Sequence, residues 1–163
     1  MNPVLLERLN NMEEGELYYA LFFDSVAKCY NRAAFELQPF KRVAIIDLDS
    51  LKWLNDTFGH RTGDYYLRQL AKELSSAFGS ASVFRLSGDE FAVTCPSELY
   101  LVDKLRDVQS KVQYFSWGES DNLIDADTEL REQKLYRERV GLRSPRGETP
   151  PWSDQVHSPK NEK

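Results

Sequence analysis

Apolar and polar positions follow two different spacings along the first half of the chain. Residues 4–23 repeat apolar side chains at helical spacing, which predicts one or two helices with a break or bend at Gly15. Residues 43–46 form a short apolar run with β-branched side chains and predict a buried central strand. A longer helical stripe begins at Thr62 and ends at Gly79, a residue typical of helix ends. The first half therefore predicts the order helix, strand, helix.

The second half predicts a hairpin followed by a further helix, strand and helix. Residues 82–86 and 90–95 flank a Ser-Gly-Asp turn, a combination typical of a β-hairpin. A helix opens at residues 96–97, a strand covers 112–117, and a last helix covers 120–141. This element order predicts an α/β fold of the α+β kind. We expect a ferredoxin-like split βαβ domain with a mostly antiparallel central sheet and helices packed on it.

Composition divides the chain into three parts. We expect an N-terminal helical extension over residues 1–19 and a compact domain over 20–144. From residue 145 the sequence is polar, rich in proline and without periodicity, so 145–163 is predicted to be a disordered tail. The N-terminal helix is either a dimerisation or regulatory element or a helix packed on its own domain. Trp152 in the tail is either a docking point for a partner or without a role.

Length, charge and cysteine content restrict the class of protein. A chain of 163 residues with 41% hydrophobic side chains suits one domain with a full core. A net charge of −5 without a long basic run argues against a nucleic-acid-binding surface. The two cysteines, Cys29 and Cys95, predict buried thiols in a reducing cytoplasm rather than a disulfide or zinc site. With no signal peptide or bilayer-spanning run apparent, we expect a soluble cytoplasmic protein that binds neither nucleic acid nor membrane.

Acidic residues follow two of the predicted strands. Asp47 ends the first strand, while Asp89 and Glu90 leave the hairpin turn. If the hairpin lies beside that strand, the three carboxylates converge, which is unfavourable unless a hard cation neutralises them. Because Mg²⁺ prefers one or two carboxylates plus substrate phosphates, the pattern indicates a metal-dependent nucleotide site. Either segment alone is better explained as a solvated strand end, and it is the presence of both that favours the site.

Polar residues between the two acidic segments complement a guanine nucleotide. Lys52 and Asn55 share a helical face, and a lysine suits a phosphate as a point charge. Asn55 and Asp64 offer an amide and a carboxylate, a set that matches the donors and acceptors of guanine. Taken singly, Asn55 is better explained as a helix C-cap and Asp64 as a residue of a first helical turn.

Five segments in order along residues 20–144 carry a family resemblance. They are DSVAKCYNRAAF (24–35), DLDSLKWLNDTFGHRTGD (47–64), RLSGDEF (85–91), FSWG (115–118) and ADTELREQK (126–134). The set resembles the GGDEF-domain diguanylate cyclases, and the second segment is its most specific match. The resemblance implies a palm-type fold and a bacterial signalling enzyme that uses Mg²⁺ or Mn²⁺ to condense two GTP molecules into cyclic di-GMP.

The resemblance also implies catalytic and metal-binding residues. Asp47 and Asp89 would hold the metal with help from the Leu48 carbonyl. Glu90 would sit at the reacting 3′-hydroxyl, as a metal ligand or as the base. We expect the catalytic set to comprise Glu90, Asp89 and Lys52.

Substrate-binding residues follow from the same resemblance. Lys52 and Lys134 would contact the triphosphate, and Asn55 and Asp64 would recognise guanine. Gly88 would let the hairpin backbone approach the nucleotide, because a β-carbon there would block it.

A cyclase of this family implies two chains. Each site holds one GTP and the product needs two, so two chains would face each other across a twofold axis. The N-terminal helix, with Leu5, Leu6, Leu9 and Met12, is the predicted source of the dimer contact. A regulatory protein that binds this helix or the tail is a further expected partner.

The chain departs from the family pattern in several places. Ser87 replaces the first glycine of the signature and fits only where the backbone avoids positive φ. The segments 36–42 and 119–122 are shorter than usual, and Arg137 and Arg139 are out of register with the arginine expected after Lys134. An alternative therefore stays open: a weak or inactive GGDEF-like module that binds GTP or a protein partner. A third interpretation is an enzyme that carries out a different nucleotidyl transfer.

Overall fold

The computed structural model of the chain describes residues 3–95 and 100–156, apart from the side chains of residues 3, 5, 6 and 9. Its helices are α1 (Pro3–Asn10), α2 (Glu14–Phe22), α3 (Arg32–Glu36), α4 (Leu51–Phe58), α5 (His60–Phe78), α6 (Leu101–Lys111) and α7 (Leu123–Arg139). Its strands are β1 (Phe23–Asp24), β2 (Cys29–Asn31), β3 (Arg42–Leu48), β4 (Val83–Ser87), β5 (Glu90–Cys95) and β6 (Phe115–Ser120). The predicted mixed fold is confirmed.

The strands form one sheet in the order β1-β2-β4-β5-β3-β6. Its adjacent pairs are antiparallel except β2 and β4, so the predicted mostly antiparallel sheet is confirmed for the described strands. The predicted hairpin is the β4–β5 pair. Because β5 lies directly beside β3, the ends of the two acidic segments meet at one end of the sheet.

Strand β3 reads as a continuous apolar run because helices cover both faces of the sheet. Ala44, Ile46 and Leu48 belong to the larger core, against α5 and α6. Val43 and Ile45 belong to the second core, against α3 and α7. Successive side chains on a strand point to opposite faces, so both sets must be apolar when both faces are buried.

The N-terminal segment forms two helices, but their break lies before Gly15 rather than at it. Gly15 is inside α2, and residues 11–13 form the break. The physical reason is a capping box at Glu13, whose backbone N–H donates to the Glu16 carboxylate at 3.3 Å and starts a new helix. The side chains of Leu5, Leu6 and Leu9, predicted to form the dimer contact, lie outside the described part.

Two short strands and a short helix were not predicted from the sequence. Strands β1 and β2 and helix α3 overlap the first family-like segment, residues 24–35. Asp24 accepts hydrogen bonds from the backbone N–H groups of Val26 at 3.0 Å and Ala27 at 2.7 Å, which shapes the β1–β2 connection. Asn31 accepts from the Ala34 N–H at 3.1 Å and caps α3. Elements this short show no hydrophobic period.

Residues 145–156, the first part of the segment predicted to be a disordered tail, pack against the domain through Trp152. Trp152 is 5% exposed and belongs to the larger core. Its ring centroid lies 5.5 Å from that of Tyr114, 5.9 Å from that of Tyr66 and 6.2 Å from that of Trp53. One large aromatic side chain provides enough buried apolar area to seat a segment that has no periodicity of its own. Residues 157–163 lie outside the described part.

Three other expectations concern the start of a helix, the two cysteines and membrane-spanning helices. The predicted helix start at residues 96–97 lies outside the described part, and α6 begins at Leu101. Cys29 is buried and Cys95 is partly buried, and neither takes part in a disulfide. Within residues 3–95 and 100–156, no helix combines the length and apolar character needed to cross a bilayer.

Candidate functional site

The structure brings the two acidic segments together at one end of the sheet. In the antiparallel β3–β5 ladder, Asp47 pairs with Glu90. The N–H of Leu48 donates to the carbonyl of Asp89 at 2.8 Å, so the end of β3 is bonded to the hairpin turn. Close opposition of like charges on paired strands is unfavourable unless another charge compensates them.

Asp47 has the most perturbed surroundings of the three acids. The residue is 7% exposed, and burial raises its pKa from 3.8 to about 6, an effect that the nearby Asp89 and Asp49 strengthen. Lys134 opposes this rise, because its Nζ lies 2.7 Å from Oδ2 of Asp47. The lysine from α7 therefore supplies a counter-charge to this carboxylate.

The acids fit a metal held jointly with a substrate better than a metal held by protein alone. Across the described part of the chain, no three His, Cys, Asp or Glu side chains are close enough to form a metal cage. Mg²⁺ does not need one, because it is usually bound through one or two carboxylates, phosphates and water. Asp47, buried and electrostatically coupled to Asp89, meets that smaller requirement. Glu90 accepts a hydrogen bond from the Ser87 hydroxyl at 3.0 Å, so its carboxylate is partly engaged.

The hairpin turn requires glycine at only one of its two signature positions. Gly88 has φ of +39°, and an added β-carbon there would meet no atom within 4 Å, so the residue serves the backbone angle. Ser87 does not have positive φ. The serine that replaces the first family glycine therefore fits without backbone strain.

An arginine that the sequence reasoning missed holds this turn. Arg85 donates to the Gly88 carbonyl from Nε at 3.0 Å and from NH2 at 2.7 Å. Its NH1 also lies 3.1 Å from Oδ1 of Asp24, on the β1–β2 connection. The sequence contained an indication of this ion pair, because Asp24 and Arg85 are oppositely charged and each begins one of the family-like segments.

Asn55 and Asp64 lie on neighbouring helices, α4 and α5, and each keeps a polar group without an internal partner. Oδ1 of Asn55 is buried and has no hydrogen-bond partner. The Asp64 side chain is half-buried, and its carboxylate makes no hydrogen bond or ion pair with another described residue. Helix α4 ends at Gly59, whose N–H donates to the Asn55 backbone carbonyl at 2.9 Å, so the Asn55 side chain is not the cap.

Gly63 allows the two helices to approach each other at Asn55. A β-carbon on Gly63 would lie 2.0 Å from Oδ1 of Asn55 and 3.0 Å from Cδ1 of Leu51. No side chain larger than hydrogen is compatible with this position of the carboxamide. Gly63 is therefore a second residue that the sequence reasoning missed, although it lies within the most specific family-like segment.

Lys52 is not brought to the acids in the way that Lys134 is. Its Nζ lies 2.5 Å from Oδ2 of Asp56 one helical turn further along α4, and both side chains are exposed. Such a surface pair contributes little to stability, so the lysine is available to a stronger anion.

A buried cluster around Asp49 was also missed. Asp49 is 1% exposed, and its carboxylate accepts from Nε of Arg143 at 2.7 Å and from the Ser116 hydroxyl at 3.0 Å. Arg137 lies 3.4 Å from the second oxygen and also donates to the Gln113 carbonyl at 2.8 Å. Burial raises the pKa of Asp49, and the two arginines oppose that rise. The out-of-register Arg137 therefore belongs to this cluster.

Comparisons with known proteins agree with this architecture. The family model described as "Diguanylate cyclase, GGDEF domain" matches residues 20–100. The chain is 26% identical over 159 residues to diguanylate cyclase DgcS of Shewanella oneidensis, which covers 85% of this chain and 54% of that relative. It is 39% identical over 101 residues to diguanylate cyclase VdcA of Vibrio cholerae, which covers 56% of this chain and 28% of that relative. The chain thus spans about half the length of the first relative and less of the second.

Solved structures show the same fold. Diguanylate cyclase SiaD in complex with its activator SiaC, from Pseudomonas aeruginosa, matches with a TM-score of 0.61 at 21% identity, over 82% of this chain and 64% of that one. The GGDEF domain of TpbB, or YfiN, from the same species matches with a TM-score of 0.58 at 25% identity, over 70% of this chain and 89% of that one. Because the family model spans the signature hairpin and the α4–α5 pair, the chain belongs to the GGDEF domain family.

Proposed function

We propose that the chain is a diguanylate cyclase that condenses two GTP molecules into cyclic di-GMP. The observation that carries the proposal is the contrast between acids beside a lysine at the sheet end and unpartnered polar groups on α4 and α5. The first set suits a metal-bound triphosphate, and the second suits guanine. The two relatives compared above are named diguanylate cyclases, which supports the proposal.

In this proposal Asp47, Asp89 and the Leu48 carbonyl would hold Mg²⁺ or Mn²⁺ together with oxygens of the triphosphate. When bound, the metal neutralises phosphate charge and polarises the phosphorus under attack. We assign to Glu90 the removal of the proton from the attacking 3′-hydroxyl. Lys134 gains in the triphosphate a partner of higher charge than the carboxylate it contacts in this structure.

The guanine end is formed by Asn55 and Asp64. The Asp64 carboxylate accepts from N1–H and N2–H of guanine, and the Asn55 amide both donates and accepts. Lys52 leaves its exposed pair with Asp56 to contact the phosphates. Gly88 keeps the hairpin backbone open to the nucleotide.

The reaction needs two chains. The 3′-oxygen of one GTP attacks the α-phosphorus of the other, its proton passes to Glu90, and the bond from that phosphorus to pyrophosphate breaks. The same step in the opposite direction closes the ring, so two pyrophosphates leave for each product. Two sites related by a twofold axis match this symmetric product, and α1 is the proposed source of the dimer contact.

Incubation of the pure chain with GTP and Mg²⁺, followed by mass spectrometry, tests the proposal. We expect cyclic di-GMP and pyrophosphate from the wild type and neither from Glu90→Gln. Specific activity should rise with protein concentration until the dimer saturates. Recovery of intact GTP alone, under conditions where light scattering shows dimers, would contradict the cyclase.

A GGDEF-like module that binds GTP or a protein partner without turnover is the second candidate. The Ser87–Glu90 hydrogen bond favours it, because the hydroxyl engages the carboxylate that the cyclase needs as a base. Calorimetric GTP binding without product formation would support the module. Turnover in Ser87→Gly would then identify this hydroxyl as the cause. Both candidates act in the bacterial cytoplasm, where GTP is available.

A further inference from the structure

The buried Asp49 cluster anchors the turn that joins β3 to α4. Arg143 makes the shortest contact to the Asp49 carboxylate, 2.7 Å from Nε to Oδ1. Arg137 is 3.4 Å from the other oxygen, a distance too long for a strong hydrogen bond. A buried carboxylate depends on such partners, because loss of one leaves an uncompensated charge. Arg143 is therefore the principal counter-charge of Asp49.

The anchored turn contains an unfavourable backbone angle. Ser50 has φ of +65°, a left-handed conformation that residues with a β-carbon seldom adopt. Such residues persist only where the surroundings over-determine them. The constraint comes from Asp49, through its carboxylate and through its N–H, which donates to the Tyr114 carbonyl at 2.8 Å. On the other side, the Ser50 carbonyl accepts from the Leu54 N–H at 3.0 Å and begins α4.

The same turn carries groups of the proposed phosphate end. Leu48, whose carbonyl is assigned to the metal, immediately precedes Asp49, and Lys52 follows in the first turn of α4. If Asp49 lost its anchor, Ser50 could relax to an ordinary angle, and Leu48 and Lys52 would shift relative to each other. Asn55 lies further along α4, where contact with Gly63 on α5 seats it independently.

Arg143 comes from a segment outside the family match, which ends at residue 100. Its own N–H donates to the Arg137 carbonyl at 3.2 Å, and its guanidinium also pairs with Glu138. Further along, Trp152 is buried in the larger core. These contacts hold the segment in place and thereby fix the position of Arg143.

We propose that Arg143 is a positioning residue for the phosphate end of the nucleotide site, acting through Asp49. The inference rests on the proposed function, because it assigns Leu48 and Lys52 to the nucleotide. Arg143 contacts no assigned nucleotide-binding group itself. Its removal would therefore weaken triphosphate recognition while leaving recognition of the guanine base intact.

The first test compares Arg143→Ala with Arg146→Ala, a matched control on an exposed residue of the same segment. Calorimetry with Mg²⁺ and a non-reactive α,β-methylene analogue of GTP measures triphosphate affinity, and ligand-observed NMR measures guanosine affinity. We expect Arg143→Ala to lose about tenfold in analogue affinity, as for a coupled buried pair, with guanosine affinity unchanged. Arg143→Lys should recover most of the loss, and Arg146→Ala should match the wild type.

The second test does not depend on a ligand. Hydrogen exchange of backbone amides in residues 48–54 should accelerate by about tenfold in Arg143→Ala and not in Arg146→Ala. If Arg143→Ala does not fold, the pair Asp49→Asn with Arg143→Leu removes both charges together and gives the same readouts.

The outcomes separate the inference from the proposed function. Unchanged exchange, or unchanged analogue affinity in a wild type that binds the analogue, would overturn the role of Arg143 alone. Equal loss of analogue and guanosine affinity would show a general structural role and would also overturn it. A wild type that binds neither GTP nor the analogue would overturn the proposed function and the inference together.

Discussion

The acid end of the sheet and the α4–α5 pair differ in how their polar groups are satisfied. At the acid end, Lys134 lies 2.7 Å from Asp47, and Ser87 donates to Glu90 at 3.0 Å. On α4 and α5, Oδ1 of Asn55 is buried without a hydrogen-bond partner. The first region therefore gives Asp47 and Glu90 internal partners, whereas the second leaves the Asn55 oxygen without one.

This difference indicates separate roles for the two regions: the acid end serves the reaction, and the α4–α5 pair selects the base. A ligand at the acid end must replace existing internal partners, which requires the strong charges of a metal and a triphosphate. A ligand on α4 and α5 gains hydrogen bonds that the protein does not make alone, and a mismatched base would leave those groups unpaired. Changes at the acid end should therefore affect turnover, whereas changes on α4 and α5 should affect the choice of base.

The largest expected effect is at the acid end. Asp89→Ala should lower turnover by on the order of 10³-fold, because it removes a charge that stabilises the proposed transition state. The melting temperature should stay close to that of Asp103→Ala, a control on an exposed residue of α6. Product formation by mass spectrometry and thermal denaturation check both parts. Loss of cooperative melting in Asp89→Ala would mean that this residue is structural.

The next effect concerns the choice of base. Asp64→Asn should reduce the preference for GTP over ATP by about 10²-fold, because an amide no longer accepts from both guanine donors. Glu73→Gln, a similar change elsewhere on α5, should preserve the preference. Calorimetry with each nucleotide measures it. Equal binding of ATP and GTP by the wild type would contradict the assignment of Asp64.

A smaller effect is expected when the packing of Gly63 against Asn55 is changed. Gly63→Ala should weaken GTP binding roughly tenfold, because the added β-carbon displaces the carboxamide. Gly15→Ala is the matched control, since a β-carbon there would meet no atom within 4 Å and alanine favours a helix. Both are measured by calorimetry. GTP affinity in Gly63→Ala equal to that in the control would show that Asn55 does not bind the base.

A graded effect is the pH dependence expected at the acid end. Because the pKa of Asp47 is raised to about 6, its carboxylate is protonated below that pH, and Mg²⁺ affinity should fall by about tenfold per pH unit there. Guanosine affinity should stay flat over the same range.

The same pKa shift has the opposite consequence for folding. The folded state holds this proton more tightly than the unfolded state, whose carboxyl has the ordinary pKa of 3.8. The stabilising contribution is therefore fully present below pH 3.8 and is lost as the pH rises through about 6. Denaturant titrations at several pH values should show that Asp47→Asn removes this dependence, and an unchanged dependence would assign it to another group.

Sequence reasoning succeeded where local chemistry dictates structure. The apolar run of β3, the helical stripe of α5 and the small-residue turn between β4 and β5 each carry their pattern within a few residues. Because β3 is covered on both faces, its continuous run was informative without any alternation. The meeting of Asp47 with Asp89 and Glu90 followed once the hairpin was assumed to lie beside this strand.

Failures occurred where an element is too short or a partner too distant for a local pattern. Strands β1 and β2 have two and three residues, fewer than any period needs. The tail looked disordered because its composition is polar, although one residue, Trp152, seats it against Trp53, Tyr66 and Tyr114. The break between α1 and α2 was placed at Gly15, although the capping box at Glu13 was the stronger local signal.

The sequence alone determined the order of the main helices and strands and the residues that could serve a metal and a nucleotide. Hydrophobic period, turn residues and side-chain chemistry are properties of neighbouring positions, so they can be read along the chain. Tertiary structure alone decided that Lys134 neutralises Asp47 and that Arg143 anchors Asp49 across 94 positions. Any arginine can neutralise any aspartate, and only the folded backbone determines which of them are close enough to do so.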